Sequence, residues 1–411
     1  MRVWFVSAYD QPRGHSSRTY DYARYLVERG HKVVFFTNSF CHFSGKQKRE
    51  LTSGSFCEDI DGIQVVWLKT PRYGGNGFGR GLNMLINYKR ILEEGTNADL
   101  EAPEVVIGPS VPILTGFAAY QIAKRHSVPF VFEIRDVWPA ALVMMGALSR
   151  WNPMYLIFRI IEKVLYDRSD QIFSTLPFVG DHISESIGRA KDFQLIPNPV
   201  DLALYGPPCP NKSARNTGHY KISYIGGFGE DHDVFMILRG AKLLMERSDE
   251  RFTFDFFGTG AKLQRCKSFA KQNSLRNVRF HDPVDKSEIA RLQCESDILV
   301  AAITDSDSYK FGLNLNKLGG YLASGRPVIL SGNPPNDPIT DSGSWFTIPA
   351  GDETGLIKSL EAIASLSVEE LETRALVARG YTERELSIAV LGERMESALA
   401  NLISADFVEG K

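Results

Sequence analysis

The sequence predicts an α/β protein made of two doubly wound, Rossmann-like domains in series. Three observations carry this. From Arg2 to Thr37 the chain reads strand, glycine-containing loop, helix, strand; apolar periodicity is then lost over 202–219; and the same alternation restarts at Tyr220. At 411 residues the chain is also too long for one compact α/β core and suits two domains of ordinary size.

Taken in order, Arg2–Val6 is apolar and β-prone, and Ser7–Arg18 is a polar loop holding Pro12 and Gly14. Tyr20–Arg29 carries Tyr22, Ala23, Tyr25, Leu26 and Val27 at helical spacing. Gly30 suits the left-handed position just past a helix end, and Lys32–Thr37 is a second strand. Strand-length apolar runs follow at Val65–Leu68, Val105–Ile107, Phe130–Ile134, Gln171–Ser174 and Gln194–Ile196. The stretch Leu202–His219, rich in Pro, Asn, Ser and Gly, reads as an interdomain linker. Beyond it come strand Tyr220–Ile225, turn Gly226-Gly227-Phe228-Gly229, helix Val234–Met245, strand Phe252–Phe257 and turn Gly258-Thr259-Gly260. Strands at Val278–His281, Ile298–Ala302 and Pro327–Leu330 complete the unit, and Glu383–Ile403 is an amphipathic helix.

Composition narrows the function. A formal net charge of -2 provides no field for nucleic acid, and 43% hydrophobic with 23% charged residues is globular. Five scattered cysteines without a CxxC pair argue against a disulfide framework and against zinc, and for a reducing compartment. No signal-peptide pattern and no run of about 18 apolar residues is present, so the expectation is a cytoplasmic protein. From Gln64 to Leu92 the basic residues Lys69, Arg72, Arg80, Lys89 and Arg90 alternate with aromatic and aliphatic ones, with no acidic residue. That stretch is either an ordinary surface loop and helix or a peripheral contact with the inner membrane leaflet. The contact is worth roughly 3–5 kcal/mol at about 1 kcal/mol per basic residue, which is reversible adsorption.

The residues that carry chemistry sit after strands, where open α/β sheets bind ligands. Gln11–Ser17 holds Gly14 and His15; glycine lets the backbone approach a ligand, and the following helix start attracts anions. Gly226-Gly227-Phe228-Gly229, with His232 beyond it, and Gly258-Thr259-Gly260 repeat that arrangement, which favours a phosphate-bearing ligand in a cleft between two such domains. Arg135 and Asp136 close a strand and either face that cleft or pair with each other to fix the loop, while Trp138 is either packing or a flat platform for a sugar. Lys317, beside Asn316 at the start of a predicted helix, opposes the helix dipole unless an anion lies nearby; Lys310 is a further candidate. No residues have metal-ligand spacing, and GxSxG, GxxxxGK[ST] and the GxGxxG dinucleotide fingerprint are all absent.

The order of these motifs resembles the GT-B glycosyltransferases, and among them the retaining family 4 enzymes of bacterial surface-polysaccharide synthesis. The resemblance runs from Arg29-Gly30-His31-Lys32-Val33 through Glu133–Pro139, Glu162, Leu165–Asp170 and Ile196–Asp201. It continues through Tyr224–Gly227, Phe257–Gly260, Asn277-Val278 and Asn316-Lys317-Leu318 to Ala323–Val328. It implies a GT-B fold, two Rossmann-like doubly wound domains facing across a cleft. Residues 1–200 with about 381–411 would hold the acceptor, 220–380 the nucleotide sugar, and 201–219 would be the linker. It further implies a hexosyltransferase-type enzyme with a nucleotide diphosphate sugar as donor substrate, no cofactor and no metal, and a lipid-linked or oligosaccharide hydroxyl as acceptor. His15, Arg135, Asp136 and Lys317 are expected at the reacting centre. Gly14, Trp138, Gly226, Gly227, Phe228, His232, Gly258, Gly260, Lys310 and Asn316 are expected around the substrates. Two departures stand out: the family's usual pair of glutamates falls on Gly312 and Gly320, and Gly227 replaces a common arginine.

Two other readings compete. A sugar-nucleotide epimerase of the same architecture needs a second acid–base pair beyond Glu133 and Asp136. A non-catalytic transferase-like subunit would bind a partner instead of a nucleotide. An NAD-dependent oxidoreductase is disfavoured by the missing fingerprint.

Overall fold

A computed structural model describes residues 1–14, 17–42, 44–75, 77–144, 146, 148–208 and 217–409 of the chain. The protein divides into two compact units, Met1–Pro197 with Ile388–Lys411, and Asn198–Ser387. The polar stretch read as a linker thus begins inside the second unit, where Leu202–Leu204 forms a single 3-10 turn.

The strands of the first unit are β1 (Arg2–Val6), β2 (Lys32–Asn38), β3 (Phe40–Cys41), β4 (Lys46–Gln47), β5 (Ser55–Ile60), β6 (Ile63–Leu68), β7 (Val105–Pro109), β8 (Phe130–Ile134), β9 (Gln171–Ser174) and β10 (Gln194–Leu195). Among the described residues one eight-stranded sheet runs β10-β9-β8-β7-β1-β2-β6-β5, and only its β5–β6 edge pairs antiparallel. Its central strands are nearly continuous apolar runs because helices cover both faces. Strand β5 of the edge hairpin has no counterpart in the sequence reading, since its residues are mostly polar and none is buried, whereas β6 was expected at Val65–Leu68. Its signal was the turn: Asp61 and Gly62 both adopt positive φ (55° and 78°), as a two-residue primed turn demands.

The last helix, Ile388–Glu409, completes this unit. It seats Leu391, Met395 and Leu399 in the core that also holds Tyr22 and Leu26 of helix Arg18–Glu28. Glu396 anchors it to the start of β2 through Arg29 (3.1 Å) and His31 (2.8 Å). The helix starts later than its spacing suggested. Thr382–Leu386 continues the preceding helix, and extended backbone at Ser387 (ψ 146°) then breaks it.

The second unit contains β11 (Tyr220–Ile225), β12 (Phe252–Phe257), β13 (Val278–His281), β14 (Ile298–Ala302), β15 (Val328–Ser331) and β16 (Phe346–Ile348), all parallel in the order β13-β12-β11-β14-β15-β16. Crossovers run outward from β11 on one side and from β14 on the other. In the first unit β1 and β7 are related in the same way. Such a reversal leaves a crevice beyond the carboxyl ends of the two central strands.

The glycine turns after β11 and β12 lie backbone against backbone. The Gly226 amide donates to the Phe257 carbonyl (2.9 Å) and the Phe228 amide to the Thr259 carbonyl (2.8 Å). A Cβ on Gly258 would lie 1.9 Å from the Gly226 carbonyl oxygen, and one on Gly260 2.5 Å from that of Phe228. Contact with the first turn therefore accounts for both glycines, which the sequence reading took as ligand contacts. Gly258→Ala should cost about 2–4 kcal/mol, from overpacking against backbone at a positive φ. Gly206→Ala in the same unit, whose Cβ meets nothing within 4 Å, should stay within about 0.5 kcal/mol. Urea denaturation of the two variants checks the contrast.

Candidate functional site

In the second unit the chain leaves β11 through Gly226–Gly229 and enters helix Val234–Glu246, capped by the Asp233 carboxylate accepting from the Met236 amide (3.1 Å). The segment after β14 is tied to that entry. Asp233 N donates to Ala302 O (3.2 Å), Thr304 N to Asp231 O (3.0 Å) and the Tyr309 hydroxyl to Asp231 O (3.1 Å). Helix Asn316–Ala323 follows, with Lys317 as its second residue.

Lys317 reaches back to the strand end. Its Nζ donates to the Tyr224 hydroxyl (3.0 Å) and sits 4.1 Å from the centroid of the same ring. A Cβ at position 226 would lie 2.4 Å from Nζ, so glycine is what makes room for the ammonium. Among the described residues no carboxylate pairs with it. Burial pushes the ammonium down to about 7. The phenol ring and hydroxyl position the charge without neutralising it, and an anion in the crevice would.

His232 lines the same turn, with its ring 3.8 Å from where Cβ atoms on Gly227 and Gly229 would stand. Burial, then the positive charges of Lys317 and Lys262, hold its imidazole down to about 3. The ring is therefore neutral at physiological pH, and its buried Nδ1 has no hydrogen-bond partner among the described residues. Lys262 itself is engaged, donating to the Glu230 carbonyl (2.6 Å). A positive group that lacks a counter-ion and a polar nitrogen that lacks a partner thus flank one glycine turn, an arrangement suited to a phosphate group.

The structure places the other expected residues of this unit as follows. Phe228 is fully buried in the core, so only its backbone is available. Lys310 is exposed, its Nζ over the neighbouring Phe311 ring (4.8 Å), and Asn316 is exposed at the helix start. The missing glutamate at position 320 has a physical account. A Cβ there would lie 2.6 Å from the Tyr205 hydroxyl and 2.9 Å from Gln293 Oε1, two groups that hydrogen-bond each other (2.7 Å). Gly312 has φ 127°, a conformation that disfavours any side chain.

In the first unit the strand ends carry a buried charge network. Arg135 donates to Asp10 (2.6 Å), Glu133 (2.6 Å) and Thr19 Oγ1 (2.7 Å), while Arg18 binds Glu133 (3.0 Å) and the Ile196 carbonyl (2.8 Å). Burial raises the Glu133 pKa, but Arg135 and Arg18 outweigh it and hold the carboxyl below its ordinary value. Arg135 was expected to meet the substrate or to pair with Asp136; its guanidinium instead locks the first βα loop to β8. Asp136 stands exposed just past β8, its backbone held by the Ser110 hydroxyl (2.8 Å to the Asp136 carbonyl). Trp138 is 4% exposed and stacked on Phe158 at 5.6 Å, so it is packing and offers no platform to a sugar. Gly14 closes a turn onto the Gln11 carbonyl (3.0 Å), and His15 lies outside the described residues. Sequence reasoning missed Asp10 and Tyr224: the first is one polar residue in a polar loop, and the second reads as core.

The chain was compared with known proteins. A family model described as a glycosyl transferase 4-like domain matches residues 13–199. The probable glycosyltransferase WbjE of Pseudomonas aeruginosa is 21% identical over 293 residues, 68% of this chain and 71% of that one. Among solved structures, sucrose-phosphate synthase of Thermosynechococcus elongatus superposes with TM-score 0.74 at 14% identity, covering 98% of this chain and all of that one (100%). HepE of Anabaena in complex with UDP-glucose gives TM-score 0.68 at 11% identity over 98% and 100% of the two chains.

Lys317 makes a pH signature. Its pKa is about 7 in the folded protein against an ordinary value of 10.5, so between those limits the unfolded chain binds more protons and stability rises with pH. The unfolding free energy of the wild type minus that of Lys317→Met should climb between about pH 7 and 9, by at most about 1.4 kcal/mol per unit. Saturating pyrophosphate, by keeping the ammonium charged, should flatten the climb. Parallel pH profiles for the two proteins would overturn the reading of Lys317 as a half-buried ammonium without a carboxylate partner among the described residues.

Proposed function

We propose that this chain, a glycosyltransferase of GT-B fold and family 4 type, moves a sugar from a nucleotide diphosphate sugar to a hydroxyl acceptor with retention. The acceptor is a lipid-linked sugar or an oligosaccharide, and the role is in cell-surface polysaccharide or glycoconjugate synthesis. The observation that carries the reading is the Lys317 ammonium at the Gly226–Gly229 turn, which has no carboxylate partner among the described residues, on the carboxyl edge of the second sheet. Support for the donor class comes from HepE, whose structures hold UDP-glucose and UDP with glucose.

In this reaction the bond from the anomeric carbon to the diphosphate breaks, a bond to the acceptor oxygen forms, and the acceptor hydroxyl's proton passes to the departing diphosphate oxygen. Negative charge grows on the departing diphosphate, and Lys317 with the glycine-turn amides stabilises it there without reorganising. Neutral His232 supplies a hydrogen bond in place of a charge. Asp136, exposed on the first unit, orients acceptor hydroxyls, and the segment 64–92 gives reversible contact with the inner membrane leaflet. Metal ions are not required when fixed donors carry the charge.

A screen of UDP-, GDP- and TDP-sugars should find one that raises the melting temperature, since a ligand at 100 times its Kd adds about 2.7 kcal/mol. Lys317→Ala should remove most of that gain. Sugar should leave the nucleotide only when an acceptor is supplied. A rapid change in the sugar without acceptor would make the protein an epimerase, and failure to bind any nucleotide while holding a stable protein partner would make it a non-catalytic subunit.

A further inference from the structure

Helix Asn316–Ala323 meets the end of β11 twice. Lys317 reaches Tyr224, and Tyr321, one turn further along and so on the same side of the helix, reaches Ile225. Tyr321 is fully buried, and its hydroxyl serves both polar groups of that residue. It accepts from the Ile225 amide (3.0 Å) and donates to the Ile225 carbonyl (3.2 Å). The sheet explains why Ile225 takes this partner. β11 pairs with β12 as far as Ile225, but with β14 only at Ile222 and Ser223. Beyond Ser223 the two central strands part, and the buried Ile225 backbone finds the phenol at the gap. Phenylalanine would fill the same core volume, so packing does not account for the hydroxyl. Burial pushes its pKa up, which keeps it protonated and able to donate.

The other side of the helix is also constrained. Gly319 lies opposite Lys317 and Tyr321, and a Cβ there would stand 2.6 Å from Val200 Cγ2. The helix thus sits between Val200 and the end of β11 without room for a methyl group, and the Tyr321 hydroxyl fixes its seat on the strand. Lys317 depends on that seat, because among the described residues no carboxylate draws its ammonium to one place. A lysine is a point charge on a flexible four-carbon stem, and it stabilises a developing charge only where it is held in advance. The Tyr224 hydroxyl that receives the ammonium also donates to the Gly227 carbonyl, so a correctly seated helix brings the charge to the glycine turn itself.

We propose that Tyr321 is a positioning residue of the phosphate site: its hydroxyl, through the Ile225 backbone, seats the helix so that Lys317 meets Tyr224 beside the turn. This rests on the donor reading for the anion that Lys317 receives. It goes beyond that reading by giving a role to a side chain that touches no substrate.

The test is a double-mutant cycle on the full chain, read by calorimetry with inorganic pyrophosphate as the probe. Tyr321→Phe should bind pyrophosphate about tenfold more weakly than the wild type. In the Lys317→Met background the same substitution should change the residual affinity by less than about twofold, because Tyr321 acts through the lysine. Equal weakening in both backgrounds is what a merely structural tyrosine would give, and it overturns the proposal. Hydrogen exchange of the wild type provides a second readout, which decides the matter if Tyr321→Phe fails to fold or Lys317→Met binds no pyrophosphate. Saturating pyrophosphate should slow the Ile225 amide more than that of Ile222 on the same strand, since binding at Lys317 and the tie at Ile225 share one helix. Equal slowing of the two amides overturns the proposal. A wild type that binds neither pyrophosphate nor UDP-glucose defeats the donor reading and the proposal with it. A wild type that binds pyrophosphate no better than Tyr321→Phe does defeats the proposal alone.

Discussion

Parallel strands cannot be joined by short hairpins, and this one constraint organises both halves of the protein. Apart from the β5–β6 hairpin, each strand of the two large sheets is followed by a crossover that returns to the other end of the sheet, so the sheets are covered on both faces and their central strands are mostly apolar. Crossovers change direction between β1 and β7 and between β11 and β14, and at such a switch point the two loops diverge and leave a crevice. The polar groups of interest gather around these two points: Asp10, Arg135 and Asp136 in one unit, Lys317, His232 and the 226–229 turn in the other. Loop residues can differ there without disturbing the sheet, which is why chemistry accumulates at such places.

The two crevices differ in electrostatic character. In the first unit the buried charges pair with one another: Arg135 and Arg18 share Glu133, and Arg135 also binds Asp10. Breaking such a network strands a buried charge, so it serves to hold the loop after β1 in place. In the second unit the balance is left open. Lys317 faces a phenol, and His232 is driven neutral by burial and by its cationic neighbours. One cluster is internally paired, and the other leaves a lysine without a carboxylate partner among the described residues.

The fold was legible in the sequence because strands buried on both faces leave contiguous apolar runs such as Phe130–Ile134 and Ile298–Ala302, separated by helices with glycine at their ends. Edge elements were not. Ser55–Ile60 pairs through its backbone while its side chains face water, so no apolar run marks it. The place of Lys317 at a helix start was legible from the spacing of 316–323, while its reach to Tyr224 and Gly226 was not. What could not be read was which partners a side chain chooses across long separations. Arg135 finds Asp10, not its neighbour Asp136, and Trp138 finds Phe158, because such pairings depend on how strands are ordered in the sheet. Gly258 and Gly260 were read for what a ligand would require, although the nearer requirement came from the adjacent backbone.

The ion pairs of Glu396 with Arg29 and His31 mark where the first unit is finished by residues from the far end of the chain. That unit is therefore discontinuous, interrupted by the whole of the second. During synthesis the second unit can form from consecutive residues, while the first waits with the groove over Tyr22 and Leu26 uncovered until Leu391, Met395 and Leu399 emerge. The order of folding is then the reverse of the order of translation. The uncovered groove is the apolar surface a chaperone or an aggregating neighbour would meet first.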